Sequence, residues 1–175
     1  MAPAKSDWLL GIAKFIIGFI RVMLVIALVA LGIALGAIVV GYPKVVAEIA
    51  RVDAPAISYW AIIAMLGLGA TLIVLWERFL KLLRQIVGTV DSGDPFDPDN
   101  ARRLQQMGWI SLAVMAVAVP AGGLATWLSN VFEDADVHVS VDSGGGGLVL
   151  TLTLFILARV FRHGAQMREE LEGTV

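Results

Sequence analysis

The amino-acid sequence predicts an all-α, polytopic membrane protein with four transmembrane helices. Three observations predict it. First, four apolar runs, at residues 22–42, 57–76, 108–128 and 144–158, contain no Asp, Glu, Lys or Arg. A helix crossing the hydrocarbon core needs about 20 such residues. No water is available there to satisfy backbone N–H and C=O groups, so each run must satisfy its own as a helix. Second, 58% of residues are hydrophobic and only 16% are charged, against roughly 25% charged in soluble domains. Mean hydropathy is +0.83. Third, eleven of the 13 Lys and Arg residues fall on one side of the implied topology.

Taken in order, the spans are expected at about residues 22–42, 57–76, 108–128 and 144–160. Residues 7–21 read as an amphipathic extension of the first. Gly11, Lys14, Gly18 and Arg21 share one face, and the remainder is rich in Trp, Leu, Ile and Phe. Two arrangements fit: a helix lying along the interface, or one long tilted helix whose basic residues snorkel. Gly32 and Gly36 form a GxxxG, expected to sit at a helix contact within the bundle. The second span is bracketed by Trp60 and Trp76, the third by Trp109 and Trp127. The third pair is 18 residues apart, about 27 Å along a helix and close to the hydrocarbon thickness. Such placement suits an interfacial aromatic belt. Pro120, followed by Ala121, Gly122 and Gly123, predicts a kink in span three. The fourth span starts on a poor helix former, residues 144–147, all glycine. Before it, Val137, Val139 and Val141 alternate with His138 and Ser140, the pattern of a short strand over 137–141.

The charges set the expected orientation. Lys5, Lys14 and Arg21 precede span one. Arg78, Lys81, Arg84, Arg102 and Arg103 lie between spans two and three, and Arg159, Arg162 and Arg168 follow span four. Only Lys44 and Arg51 fall between spans one and two, and residues 129–142 carry Glu133, Asp134, Asp136 and Asp142 but no basic residue. The positive-inside rule then puts both termini and the 77–107 loop in the cytoplasm. The whole chain, 1–175, reads as a single four-helix membrane domain.

The 77–107 loop carries the densest pattern. Glu77, Arg78, Lys81 and Arg84 interleave with Phe79, Leu80, Leu82, Leu83, Ile86 and Val87, so span two should continue as an amphipathic helix. Residues 88–93, bounded by two glycines, should break it. Asp97 suits an N-cap, Pro98 the first helical position and Asp99 the positive end of the dipole, so a helix should start there. Asp91, Asp94, Asp97 and Asp99 do not match a calcium loop. Counted from Asp91, the sixth and twelfth positions hold Phe96 and Arg102, where an EF-hand needs Gly and Glu.

Residues Ile86, Val87, Thr89, Val90, Gly93, Asp94, Pro95 and Phe96 make a distinctive string, continued by Asn100, Ala101, Arg102, Arg103, Leu104, Gly108 and Trp109. With Leu157, Ala158, Arg159, Val160, Phe161, Arg162, Gly164 and the tail 167–175, it resembles a bacterial integral membrane family catalogued as domain of unknown function 2975. The resemblance covers essentially the whole chain. It implies a bacterial multi-pass protein of the inner membrane with no established activity. It also implies a relation to a small helix-turn-helix regulator, whose genes often neighbour those of the family. It supplies no catalytic residues.

The residues themselves point to no catalytic, cofactor or metal site. Cysteine is absent, which removes thiol chemistry and Cys-based metal centres. The two histidines, His138 and His163, are isolated and outside any HExxH pattern. A net charge of −2 argues against direct nucleic-acid binding. The expectation is a non-enzymatic module acting through cytoplasmic-face protein or lipid interactions, with the bilayer, a cytoplasmic protein or a second copy as partner. The candidate interaction motif is Gly93, Asp94, Pro95, Phe96, Asp97, Asn100, Arg102 and Arg103. The alternative is a small oligomeric transporter or channel, although the spans lack the ionisable residues such proteins usually bury. In the tail, Arg168 and Glu172 have i,i+4 spacing for a surface pair.

Overall fold

The structure is a computed structural model and describes residues 8–132 and 145–172. Its elements are helices: α1 (Trp8–Val40), α2 (Tyr42–Arg51), α3 (Ser58–Asp91), α4 (Pro98–Val131) and α5 (Gly145–Glu172). Four of them, α1, α3, α4 and α5, are long and apolar enough to cross a membrane. The strand expected at 137–141 lies outside the described residues.

Helices α3 and α4 have 34 residues each, about 50 Å at 1.5 Å per residue. The hydrocarbon core is only about 30 Å thick. The excess lies at the same end in every case, on the charged stretches 8–21, 77–91, 98–107 and 159–172. The four helices therefore continue together beyond the apolar slab. Residues 8–21 are the start of a continuous α1 and not a separate helix. Likewise α4 passes through Pro120 without interruption.

The long helices stand in a row in the order α1, α3, α4, α5. Each packs against the next, and the backbones of α1 and α4, or α3 and α5, do not approach one another. The α1 seam is legible in its burial pattern. Ile17, Arg21, Leu24, Leu28, Leu31, Leu35 and Ile38 are among the covered positions, at alternating spacings of four and three. That spacing keeps a stripe facing one partner helix. Gly32 and Gly36 lie off this stripe, and a Cβ built on either would meet nothing within 4 Å. Among the described residues the GxxxG thus makes no close contact, contrary to expectation, because α3 packs on the leucine stripe instead.

The interface between α4 and α5 is built by small residues. Ala158 of α5 is buried and packs in the cluster with Leu104 and Met107 of α4. A Cβ on Gly108 would lie 3.0 Å from the Phe155 ring, and one on Gly147 would lie 3.1 Å from Met115 Sδ. In lipid, apolar surface gains nothing from burial against apolar surface, so close approach and interhelical hydrogen bonds decide association. One such bond joins the Ser111 and Thr151 hydroxyls, 2.8 Å apart and both buried. Between α3 and α4, Leu104 and Met107 meet Phe79, Leu82, Leu83 and Ile86, and Leu154, Ala158 and Phe161 of α5 complete the cluster.

Helix α2 falls where the sequence suggested only a loop. Pro43 sits in its first turn, and Val45, Val46 and Ile49 occupy one side. Ile49 is buried. The four interface tryptophans, Trp60, Trp76, Trp109 and Trp127, all keep substantial exposure (37–65%) on the outer surface, as a belt in lipid requires.

Candidate functional site

The motif residues converge on the connection between α3 and α4. Helix α3 does not stop at Gly88; it runs to Asp91 and is capped by Ser92. The break is at Gly93, with φ of +85°, a left-handed conformation that glycine adopts without penalty. The Gly93 amide donates to the Val90 carbonyl at 3.1 Å and the Asp94 amide to the Thr89 carbonyl at 3.0 Å. These two bonds constitute a Schellman motif and satisfy the carbonyls left open at the helix end.

Helix α4 begins as the sequence suggests. Asp97 is the N-cap: its carboxylate accepts from the Asp99 amide at 2.8 Å, and Pro98 is the first helical residue. Asn100, fully buried, joins the two helices. Its amide nitrogen donates to Thr89 Oγ1 at 2.7 Å and to the Pro95 carbonyl at 3.1 Å. Its oxygen accepts from Arg103 at 2.7 Å. The Arg103 guanidinium also lies 3.8 Å from the carboxylates of both Asp97 and Asp99. A buried amide with both ends engaged in this way fixes local geometry, because losing any partner strands a polar group.

The other helices attach around this knot. Phe96 packs on Phe161 of α5 at 5.6 Å between ring centroids. It lies where a side chain on Gly164 would stand, since a Cβ there would be 2.7 Å from the ring. Arg168 donates to Asp94, and Arg162 to Gln105 at 2.8 Å. From α1, Lys14 pairs with Asp91, and Arg21 with Glu77. The start of α1, the α3–α4 connection and the end of α5 therefore share one end of the molecule. The expected partner of Arg168, the Glu172 side chain, lies outside the described residues.

The four aspartates are thus distributed among different partners: Asp91 to Lys14, Asp94 to Arg168, Asp97 to its own helix cap and Arg103, Asp99 to Arg102 and Arg103. Among the described residues, no group of three or more His, Cys, Asp or Glu converges on a point where a metal could sit. Of the eight motif residues, seven meet within the clasp. Arg102 points outward, with a side chain 80% exposed and a 3.6 Å contact to Asp99. Phe96 retains 42% exposure. The partners that sequence reasoning missed, among them Lys14, Arg21, Thr89 and Gly164, come from elsewhere in the chain. A weak signal existed for one pair: Arg21 and Glu77 are opposite charges that each border an apolar run.

Two concavities flank the row. A small apolar crevice of about 90 Å³ lies among Trp76 and Phe79 of α3, Val114 and Met115 of α4, and Leu150 of α5. A larger groove of about 640 Å³ is lined by Arg78, Lys81 and Gln85 of α3 and by Gln106, Trp109 and Ile110 of α4.

Residues 41–175 match a family model described as a protein of unknown function (DUF2975). No curated protein and no solved structure matches the chain.

Proposed function

The chain belongs to the DUF2975 family, and from that premise we propose that it is a non-enzymatic protein of the bacterial inner membrane that docks a cytoplasmic protein on its clasp end. The observation carrying this reading is the clasp itself. One connection ties every long helix to its neighbours and still presents Arg102 and the edge of Phe96 outward. A partner bound there would respond to the arrangement of all four spans. The charge distribution supports a cytoplasmic position for this end, since ten of the twelve basic residues among the described residues belong to it. The family resemblance favours a small helix-turn-helix regulator as the partner.

Several hydroxyls in the spans are engaged within the helices. Thr71, Thr126 and Thr153 each donate to the carbonyl four residues back, and Ser111 is engaged with Thr151.

The test is affinity capture from native membranes followed by mass spectrometry. Wild type is compared with Arg102→Glu and with residues 93–99 replaced by an equal length of Gly/Ser. The reading expects a cytoplasmic protein captured with wild type and lost with Arg102→Glu, while thermal stability of that variant in detergent is unchanged. Retention of every partner by both variants overturns it.

A second reading, a small oligomeric channel or transporter, draws on the open row. Among the described residues helix α1 packs only on α2 and α3, so the described helices of one copy form no closed bundle and a path would need several. Native mass spectrometry of the protein extracted in mild detergent decides between them: a monomer removes the channel reading.

A further inference from the structure

The large groove lies beside the clasp, on the face of α3 that carries Glu77, Arg78, Lys81 and Gln85. Because α3 runs toward the clasp and α4 away from it, Gln85 and Gln106 form the lip nearer the clasp. Arg78, Trp109 and Ile110 lie nearer the apolar slab. Trp109 follows directly on Gly108, where the uncharged run of α4 begins. The groove therefore passes from polar to apolar along the membrane normal.

Its charges are uncommitted. Lys14, Arg21, Arg103, Arg162 and Arg168 of the same end all have partners. Among the described residues Arg78 and Lys81 make no ion pair and no hydrogen bond. Glu77, in the groove wall, is neutralised by Arg21. What remains is two free cations and two exposed amides above an apolar floor of Leu82, Ile110 and Trp109. A volume of about 640 Å³ is within the range of about 300–1,000 Å³ usual for small-molecule sites.

We infer that this groove is a binding site for one anionic phospholipid. The phosphate sits between Arg78 and Lys81, the polar headgroup reaches Gln85 and Gln106 above Leu82, and an acyl chain runs down over Ile110 and Trp109. Basic pockets between helices at the cytoplasmic surface recognise anionic headgroups in this way. A soluble acidic partner would satisfy the cations alone. The Trp109 end of the groove, 60% exposed and level with the start of the apolar run, is covered by hydrocarbon. This site is separate from the protein-docking surface proposed above and stands whether or not that partner exists.

The full-length protein in neutral detergent provides the test, with bound lipid read by native mass spectrometry. The probes are phosphatidylglycerol, phosphatidylcholine and inorganic phosphate. The groove variant is Arg78→Gln with Lys81→Gln, and Lys81→Gln alone gives a milder second measurement. The control, Arg84→Gln with Arg159→Gln, removes two exposed charges outside the groove. Phosphatidylglycerol is expected to bind wild type and the control alike, and to bind the groove variant roughly tenfold or more weakly, from two cations at the headgroup. The single variant falls between. Brominated phosphatidylglycerol is expected to quench less fluorescence in Trp109→Phe than in Trp127→Phe. Three results overturn the inference: equal binding of the two lipids, an equal loss in the control, or competition by inorganic phosphate at the lipid's own concentration. The last would identify a simple anion site rather than a lipid site.

Discussion

Asn100 concentrates the chemistry of the clasp in one side chain. It is wholly buried and bridges Thr89, the Pro95 carbonyl and Arg103. Asn100→Leu, similar in size, removes the bonds and leaves the Arg103 donors and the Pro95 carbonyl without their partner. The expected cost is about 1–3 kcal/mol, read as a lower midpoint of unfolding in mixed micelles. Asp97→Ala removes the cap and is expected to cost about 0.5–2 kcal/mol by the same measurement. Asp97→Asn is expected to restore most of that, because Asn caps as well as Asp and the ion pair it gives up is long, at 3.8 Å. An equal loss in Asp97→Asn and Asp97→Ala would mean that charge, not capping, matters there. The two residues differ in how far the sequence reveals them. A cap acts on amides two residues away, so Asp97, Pro98 and Asp99 announce it. Asn100 owes its role to Thr89, eleven positions back across a turn, and nothing in its immediate neighbourhood signals that.

At the scale of elements, the junction of α5 with the α3–α4 connection depends on a missing side chain. Gly164 leaves the space that Phe96 fills. Gly164→Val should push Phe96 away and loosen the end of α5, seen as faster proteolysis within residues 159–172. Phe96→Ala alone weakens the same contact. In the double variant the added methyls occupy the vacated space, so the two losses should sum to more than the combined effect. Full additivity in this cycle would show that the two side chains do not meet. The glycines of α1 give the opposite lesson. Gly32 and Gly36 have the spacing of a helix-contact motif but face no helix, while the leucine stripe beside them makes the packing. Small-residue spacing specifies that a helix can be approached closely and does not specify by which neighbour. Helix α2 was legible in principle: Val45, Val46 and Ile49 beside Lys44, Glu48 and Arg51 form about two amphipathic turns. Its brevity, 10 residues between two spans, hid it.

For the whole molecule, the ion pairs Lys14–Asp91 and Arg168–Asp94 put the beginning of α1 and the end of α5 beside the same connection. With the basic excess there, reporter fusions at Asp94 should read cytoplasmic, and those at Asp53 and Asp136 external. A cytoplasmic reading at Asp136 would overturn the proposed topology. The sequence by itself determined the spans, the shared side of the charged extensions and the cap that starts α4. These follow from local constraints: a backbone in hydrocarbon must be helical, charges must leave the slab, and an N-cap acts within one turn. The order of the row, the faces that meet, the clasp around Asn100 and the groove beside it were decided only by the tertiary structure. In lipid every side of a span is apolar, so periodicity does not mark the buried face as it does in water. The choice falls to close approach at small residues and to polar pairs joining positions as far apart as Lys14 and Asp91.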